Sequence, residues 1–228
     1  MPSSTDHEHL SVQIKKLADQ SPADTPSPVF DPHVTFLSGL SLETDVEVLK
    51  HDVKRGLKAW SDGDEGSFGD DQDKTGSSKS NSNSNLNLCL NLEEPINGGS
   101  FYTAMIYPVK QESKRSSSSD EHQPQTRSTP FDRLLSGRSI LQNLLSRYFP
   151  PQPPGYEPKP YFPHLSLQYS SLPKSDLEPI TRDFIAEAER SSTLASKVEL
   201  DRCALMRLDG EVRDWEVVTV YKLDGEED

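Results

Sequence analysis

Cysteine is nearly absent: the chain has two, Cys89 and Cys203. Two thiols cannot build a disulfide framework or complete a zinc site alone. Each sits in a strand-like run and is expected to be a buried or half-buried free thiol in a reducing compartment. Long apolar runs are also missing. Nothing approaches the ~18 residues of a membrane span, and the N-terminus lacks the apolar stretch of a secretory signal. A soluble, intracellular protein is expected. Hydrophobic residues make up only 32% of the 228 and aromatics 7%, so part of the chain is expected to be disordered. Basic residues are outnumbered, 24 to 37, for a formal charge of −13. That excludes long nucleic acid as a partner, because binding it needs a basic face that displaces counterions. Residues 61–80 and 224–228 contribute a net −4 each, which leaves a small anionic ligand in a locally positive cleft compatible with the composition.

What the chain does have is one phrase written twice. Phe30-Asp31-Pro32-His33-Val34-Thr35-Phe36 and Tyr161-Phe162-Pro163-His164-Leu165-Ser166-Leu167 both read aromatic, x, Pro, His, apolar, hydroxyl, apolar. Side chains alternate faces along a strand, so residues two apart share one. His33 therefore points with Thr35, and His164 with Ser166, while the apolar residues between them turn to a core. Two such fronts facing each other make a cleft with two imidazoles and two hydroxyls, which suits phosphate chemistry.

The same elements surround both phrases. Leu10, Ile14 and Leu17 predict a helix over 8–18, after frayed residues 1–9. A proline-rich connector leads to the first motif strand, 29–37. Thr44 to Glu47 reads as a capping box, opening a helix over 45–60. Residues 61–85 read as a disordered insert; acidic neighbours argue against a phosphate loop at Gly63, Gly66 and Gly69. Strands at 86–92 and 101–109, joined through Asn97-Gly98-Gly99, predict a hairpin. After a second insert at 111–128, Thr129-Pro130 opens a helix running to Tyr148. The second motif strand spans 161–169, a helix starts near Ser175, and strands at 197–208 and 215–223 meet at Asp209-Gly210. Helix, strand, helix, hairpin thus occurs twice. The expected fold is α+β: one domain over 1–228 with two pseudo-symmetric lobes, each an antiparallel sheet with helices outside, around a central cleft. An acidic tail, 224–228, ends the chain.

Paired His-x-Thr/Ser motifs with apolar flanks resemble the 2H phosphoesterase superfamily, in particular its fungal-type 2′,3′-cyclic-nucleotide 3′-phosphodiesterases. Ser27 to Thr35, Pro163 to Tyr169 and Arg207 to Val217 carry the likeness, which covers most of the chain outside the inserts. The resemblance implies an enzyme that opens 2′,3′-cyclic nucleotides to 2′-phosphates, and ADP-ribose 1″,2″-cyclic phosphate, a by-product of tRNA splicing, to ADP-ribose 1″-phosphate. It implies no metal and no cofactor, a monomer, and a cytoplasmic or Golgi-associated location. His33 and His164 are the implied catalytic pair, Thr35 and Ser166 hold the phosphate oxygens, and Tyr169 lies near the substrate. Strict alternation would put Tyr169 opposite Ser166 unless the strand bends after Leu167. Relatives also begin with an apolar-Trp-apolar-Pro strand that this chain lacks.

Opening a cyclic phosphodiester needs water deprotonated on one side of phosphorus and the leaving oxygen protonated on the other. Two histidines suit this, since imidazole titrates near neutrality, and hydroxyls steady the charge on the remaining oxygens. Either ring can take either role; the preferred order is His164 as base and His33 as acid. His7, His9, His51 and His122 are expected to be solvated. Two other classes fit the same residues: a non-catalytic nucleotide or phosphate sensor, and an enzyme that processes RNA ends.

Overall fold

The computed structural model describes residues 1–63, 87–112, 128–158 and 160–228; nearly all of both expected inserts lies outside them. The described residues are α+β, with four α-helices and small two-stranded antiparallel sheets. None of these helices is long and apolar enough to cross a membrane.

Helix α1, Ser4–Asp19, buries Leu10, Ile14 and Leu17 and packs on the second motif strand. It starts earlier than the apolar spacing predicts because the residues before it are tied down, not frayed. The Ser3 N–H donates to the Glu199 carbonyl at 2.7 Å, and Pro2 bridges to Leu200. The Asp6 carboxylate accepts from the Glu199 N–H at 2.7 Å. Helix α2, Val46–Ser61, is capped by Asp45, whose side chain accepts from the N–H groups of Glu47 and Val48, one residue later than a Thr44 box would place it.

Helix α3, Pro130–Leu144, carries a true capping box between Thr129 and Asp132 with Pro at its start. It lies close on α2. A Cβ added at Gly137 would sit 2.3 Å from the Trp60 ring, and one at Gly56 would sit 2.4 Å from Leu141. Both glycines therefore serve close approach. The pair is clasped at one end by Asp52, 4% exposed, which accepts from Arg147 Nη2 at 2.5 Å and the Tyr148 hydroxyl at 2.6 Å. Helix α4, Lys174–Arg190, runs through Pro179 and buries Leu177, Thr181, Phe184 and Ala188.

The strands are β1 (Leu88–Asn91), β2 (Met105–Pro108), β3 (His164–Gln168), β4 (Lys197–Leu200), β5 (Arg202–Arg207) and β6 (Glu216–Lys222). Their pairing departs from the expected hairpins. β1 pairs with β4 and β2 with β3, all antiparallel; of the β1–β2 hairpin only the bridges Leu92–Val109 and Ile96–Ile106 remain. Met105, Ile106 and Tyr107 are each 0% exposed, and a strand buried on both faces needs neighbours on both edges. β2 meets that need between β3 and the 92–96 segment. Residues 101–103, expected in a strand, form a 3₁₀ turn. The closing hairpin does form, as β5–β6.

The first motif is not a full strand. Among the described residues its only ladder contact is the bridge Val34–Leu165. Pro28 precedes it and Pro32 lies within it, and neither has an N–H to give a neighbouring strand. Among the described residues, β1–β4 and β2–β3 join the first half of the chain to the second, while the Leu92–Val109 and Ile96–Ile106 bridges stay within the first, all over a continuous core that includes Leu57, Met105, Leu165 and Val198. Alternation with buried Leu88 and Leu90 turns Cys89 outward, so it is exposed and not buried as expected; Cys203 is half-buried, and both are free.

The helix contact makes a direct prediction. Gly→Ala inside an isolated helix stabilises by about 1 kcal/mol, but at Gly137 the new methyl meets the indole. Gly137→Ala is expected to lose about 1–3 kcal/mol in urea denaturation, and an unchanged or raised midpoint would contradict this packing of α2 on α3.

Candidate active site

The Val34–Leu165 bridge sets the two phrases side by side and antiparallel. Leu165 is buried and Val34 packs against the core, so alternation turns their neighbours His33, Thr35, His164 and Ser166 to the opposite side. Both imidazoles are held in the same way. His33 Nδ1 lies 2.7 Å from the Asp31 carbonyl and His164 Nδ1 lies 2.8 Å from the Phe162 carbonyl. A carbonyl only accepts, so each Nδ1 carries the proton and each neutral ring keeps its Nε2 lone pair for the cleft. In both cases a proline stands between the histidine and its latch.

Burial of the half-buried His33 holds its pKa below the ordinary imidazole value, the Asp31 carbonyl offsets part of that, and the positive N-terminus and then positive charge on His164 lower it further. His33 therefore resists protonation more than an ordinary imidazole does.

Tyr169 joins this group. Its hydroxyl lies 3.2 Å from His33 Nε2, and the Ser166 hydroxyl is its other polar neighbour. Burial pushes the phenol up to about 12, so it donates to the imidazole across the neutral range. The reason it reaches this side is a bulge. Met105 pairs with Gln168 and Ile106 with Ser166, so Leu167 is the extra residue. One inserted residue shifts the alternation and re-aims the side chains beyond it.

The two candidate phosphate hydroxyls differ. Ser166 is buried and donates to the Tyr102 carbonyl at 3.2 Å. Thr35 is exposed, and its carbonyl accepts from the Tyr161 hydroxyl at 3.0 Å. Tyr161 and Tyr169 thus bracket the second phrase and grip the first at Thr35 and His33.

Aromatic rings complete the surround. Phe30 stacks on Tyr169 with centroids 3.9 Å apart at 12° and meets His33 edge-on at 5.9 Å. Tyr102 stands on edge to Tyr169 at 5.4 Å, and Trp215 lies 6.0 Å from each of them. Sequence reasoning gave none of Phe30, Tyr161, Tyr102 or Trp215 a role here. Phe30 and Tyr161 did carry a signal, since both hold the third position before the histidine. Trp215 lies in the Arg207–Val217 stretch that shares the family likeness, whereas Tyr102 carries no signal.

The other histidines lie elsewhere. His7, expected to be solvated, is half-buried on α1 and 3.5 Å from Asp31; His9 bonds Gln13 at 3.1 Å. His51 is exposed on α2, and His122 falls outside the described residues. Among these residues no three His, Cys, Asp or Glu side chains form a group fit for a metal ion.

No protein-family model matches the chain, and no curated protein matches it.

The proximity of the rings can be read by NMR titration. His33 is expected to titrate below 6.5, and His164→Ala is expected to move that midpoint upward, because the facing charge is gone. A His33 midpoint unmoved by the substitution would mean that the two rings do not meet.

Proposed function

We propose that the chain is a cyclic phosphodiesterase that opens 2′,3′-cyclic nucleotides to 2′-phosphates by acid–base catalysis, without a metal. The observation that supports it most is the matched pair of latched imidazoles, each with Nδ1 held by the carbonyl two residues before it, and with His33 responsive to charge on His164. The Val34–Leu165 bridge, which sets the two motifs antiparallel and side by side, also supports it; two pseudo-symmetric lobes of the 2H phosphoesterase kind belong to the same proposal. In that architecture the cleft falls between the two motifs. ADP-ribose 1″,2″-cyclic phosphate carries the same reacting group and is a second expected substrate.

In the proposed reaction the cyclic phosphate lies between the two Nε2 atoms. A neutral imidazole takes a proton from water as the water attacks phosphorus, and the protonated partner delivers one to the departing ribose oxygen. The buried setting of His33 favours its neutral form, which makes it the base and His164 the acid. This reverses the order preferred from the sequence, which would require His33 to hold a proton that its surroundings resist. Ser166 and Thr35 would donate to the non-bridging oxygens; for Ser166 that means turning its hydroxyl from the Tyr102 carbonyl. Tyr169 would give up His33 Nε2 to the attacking water and stay within reach of the phosphate.

A second reading, a sensor that binds nucleotides without turning them over, draws on a different observation. The His33 Nε2 and the Ser166 hydroxyl both already have protein partners.

Incubation with 2′,3′-cyclic AMP, followed by phosphorus NMR, separates these readings. Turnover to the 2′-phosphate in the presence of a chelator is expected, and His33→Ala and His164→Ala should each reduce it roughly 10²–10⁴-fold with folding retained. Full activity in either variant would sink the proposal; binding of adenosine 2′-phosphate with no turnover would favour the sensor. The rate profile tests the role assignment. With His33 as base, the ascending limb of kcat/KM has its midpoint below 6.5. Activity that instead declines as the pH rises through that region would restore His164 as base.

A further inference from the structure

The connector from α3 to the second motif carries a pattern that neither the fold nor the candidate site uses. Residues 150–160 hold six prolines, and Pro153-Pro154-Gly155-Tyr156 is a proline pair, a spacer residue and a tyrosine. Every residue over 150–158 is exposed, and none belongs to a helix or strand. Each proline fixes its own φ and pushes the residue before it to an extended shape. Pro150, Gln152 and Pro153 all precede a proline, so 150–154 is preset to a polyproline II arm that has little entropy left to lose on docking.

The arm ends in a turn. The Tyr156 N–H donates to the Pro153 carbonyl at 3.1 Å, and Gly155 has a φ of +80°. Proline second and a left-handed glycine third make this a type II turn, and it leaves Tyr156 53% exposed. The other exposed aromatic rings have company. Phe101 and Tyr102 contact each other and Tyr169, and Phe162 stacks on His164 at 5.8 Å. Among the described residues Tyr156 has no ring contact and its hydroxyl no hydrogen bond. Among them too, the one side-chain hydrogen bond within 150–158 is local, from Gln152 Nε2 to the Pro150 carbonyl at 3.5 Å. A connector that only spanned α3 to β3 would need neither the tyrosine nor its exposure.

We propose that 150–156 is a docking arm for a partner protein with a WW-type module, a small domain whose aromatic-lined groove takes Pro-Pro-x-Tyr segments. The prolines lie against the rings of the groove, Gly155 is the spacer, and Tyr156 fills a pocket beside it. An SH3-type module reads Pro-x-x-Pro next to a cation, and Arg147-x-x-Pro150-x-x-Pro153 has that spacing. Its cation is already taken, because Arg147 Nη2 donates to buried Asp52 at 2.5 Å in the clasp between α2 and α3. The tyrosine end of the arm is the free one.

Calorimetric titration of the full chain with an isolated WW domain that takes Pro-Pro-x-Tyr peptides tests the arm. The folded chain is expected to bind at least as tightly as a peptide of residues 150–158, since the segment is open and partly ordered. Tyr156→Ala and Pro154→Ala should each weaken binding by about 30-fold or more, the loss that marks a hot spot. Tyr156→Ala should keep the wild-type midpoint in urea. Binding by the peptide but not by the folded chain would overturn the proposal, and so would binding indifferent to Tyr156→Ala. A fall in stability alongside the loss of binding would make Tyr156 a packing residue and overturn it as well. An SH3 domain that binds the chain where the WW domain does not would assign the arm to the other module. None of these readouts depends on turnover, so the docking arm and the diesterase reading stand or fall separately.

Discussion

One antiparallel bridge, Val34 to Leu165, decides where both imidazoles stand. Among the described residues it is the single ladder contact of the first motif, and it sets His33 and His164 on one face with Thr35 and Ser166. A lone bridge is weak, since a net backbone hydrogen bond contributes only about 1 kcal/mol. The side chains around it supply the rest. Tyr161 reaches across to the Thr35 carbonyl, Phe30 stacks on Tyr169, and Tyr169 bonds His33. Phe36, on the core side of the same segment, stacks on Trp60 at 5.5 Å. The motif is thus positioned by its aromatic neighbours more than by its backbone.

The pairing between halves follows from burial. β2 and β3 have no solvent face to spare: β2 is buried at all four positions, and β3 at every position but His164. Each has a partner on both edges: β2 lies between β3 and the local 92–96 segment, and β3 between β2 and the bridge at Val34. β5 and β6, largely exposed or half-buried, have no such need and do form a hairpin between neighbours in the chain.

Much of this was legible in the sequence. Apolar spacing located all four helices, and the doubled phrase located both histidines with their hydroxyls. The features that escaped have physical reasons. The early start of α1 depends on contacts with Glu199 and Leu200, nearly two hundred residues away. The broken first strand follows from prolines whose missing donors matter only once a partner strand is known. Tyr169 faces His33 because Leu167 bulges, and a bulge leaves no mark in an alternation count. The sequence pattern puts Tyr102 and Trp215 at the starts of strands far from the motifs, and only three-dimensional proximity connects them to the histidines.

The Ser166 hydroxyl donates to the Tyr102 carbonyl and has one hydrogen to give. Any anion that captures that hydrogen releases the backbone of residue 102, and so frees the turn carrying the exposed ring. Linkage makes the trade mutual. The buried hydroxyl and the exposed turn then behave as one mechanical unit, joined by a single hydrogen bond.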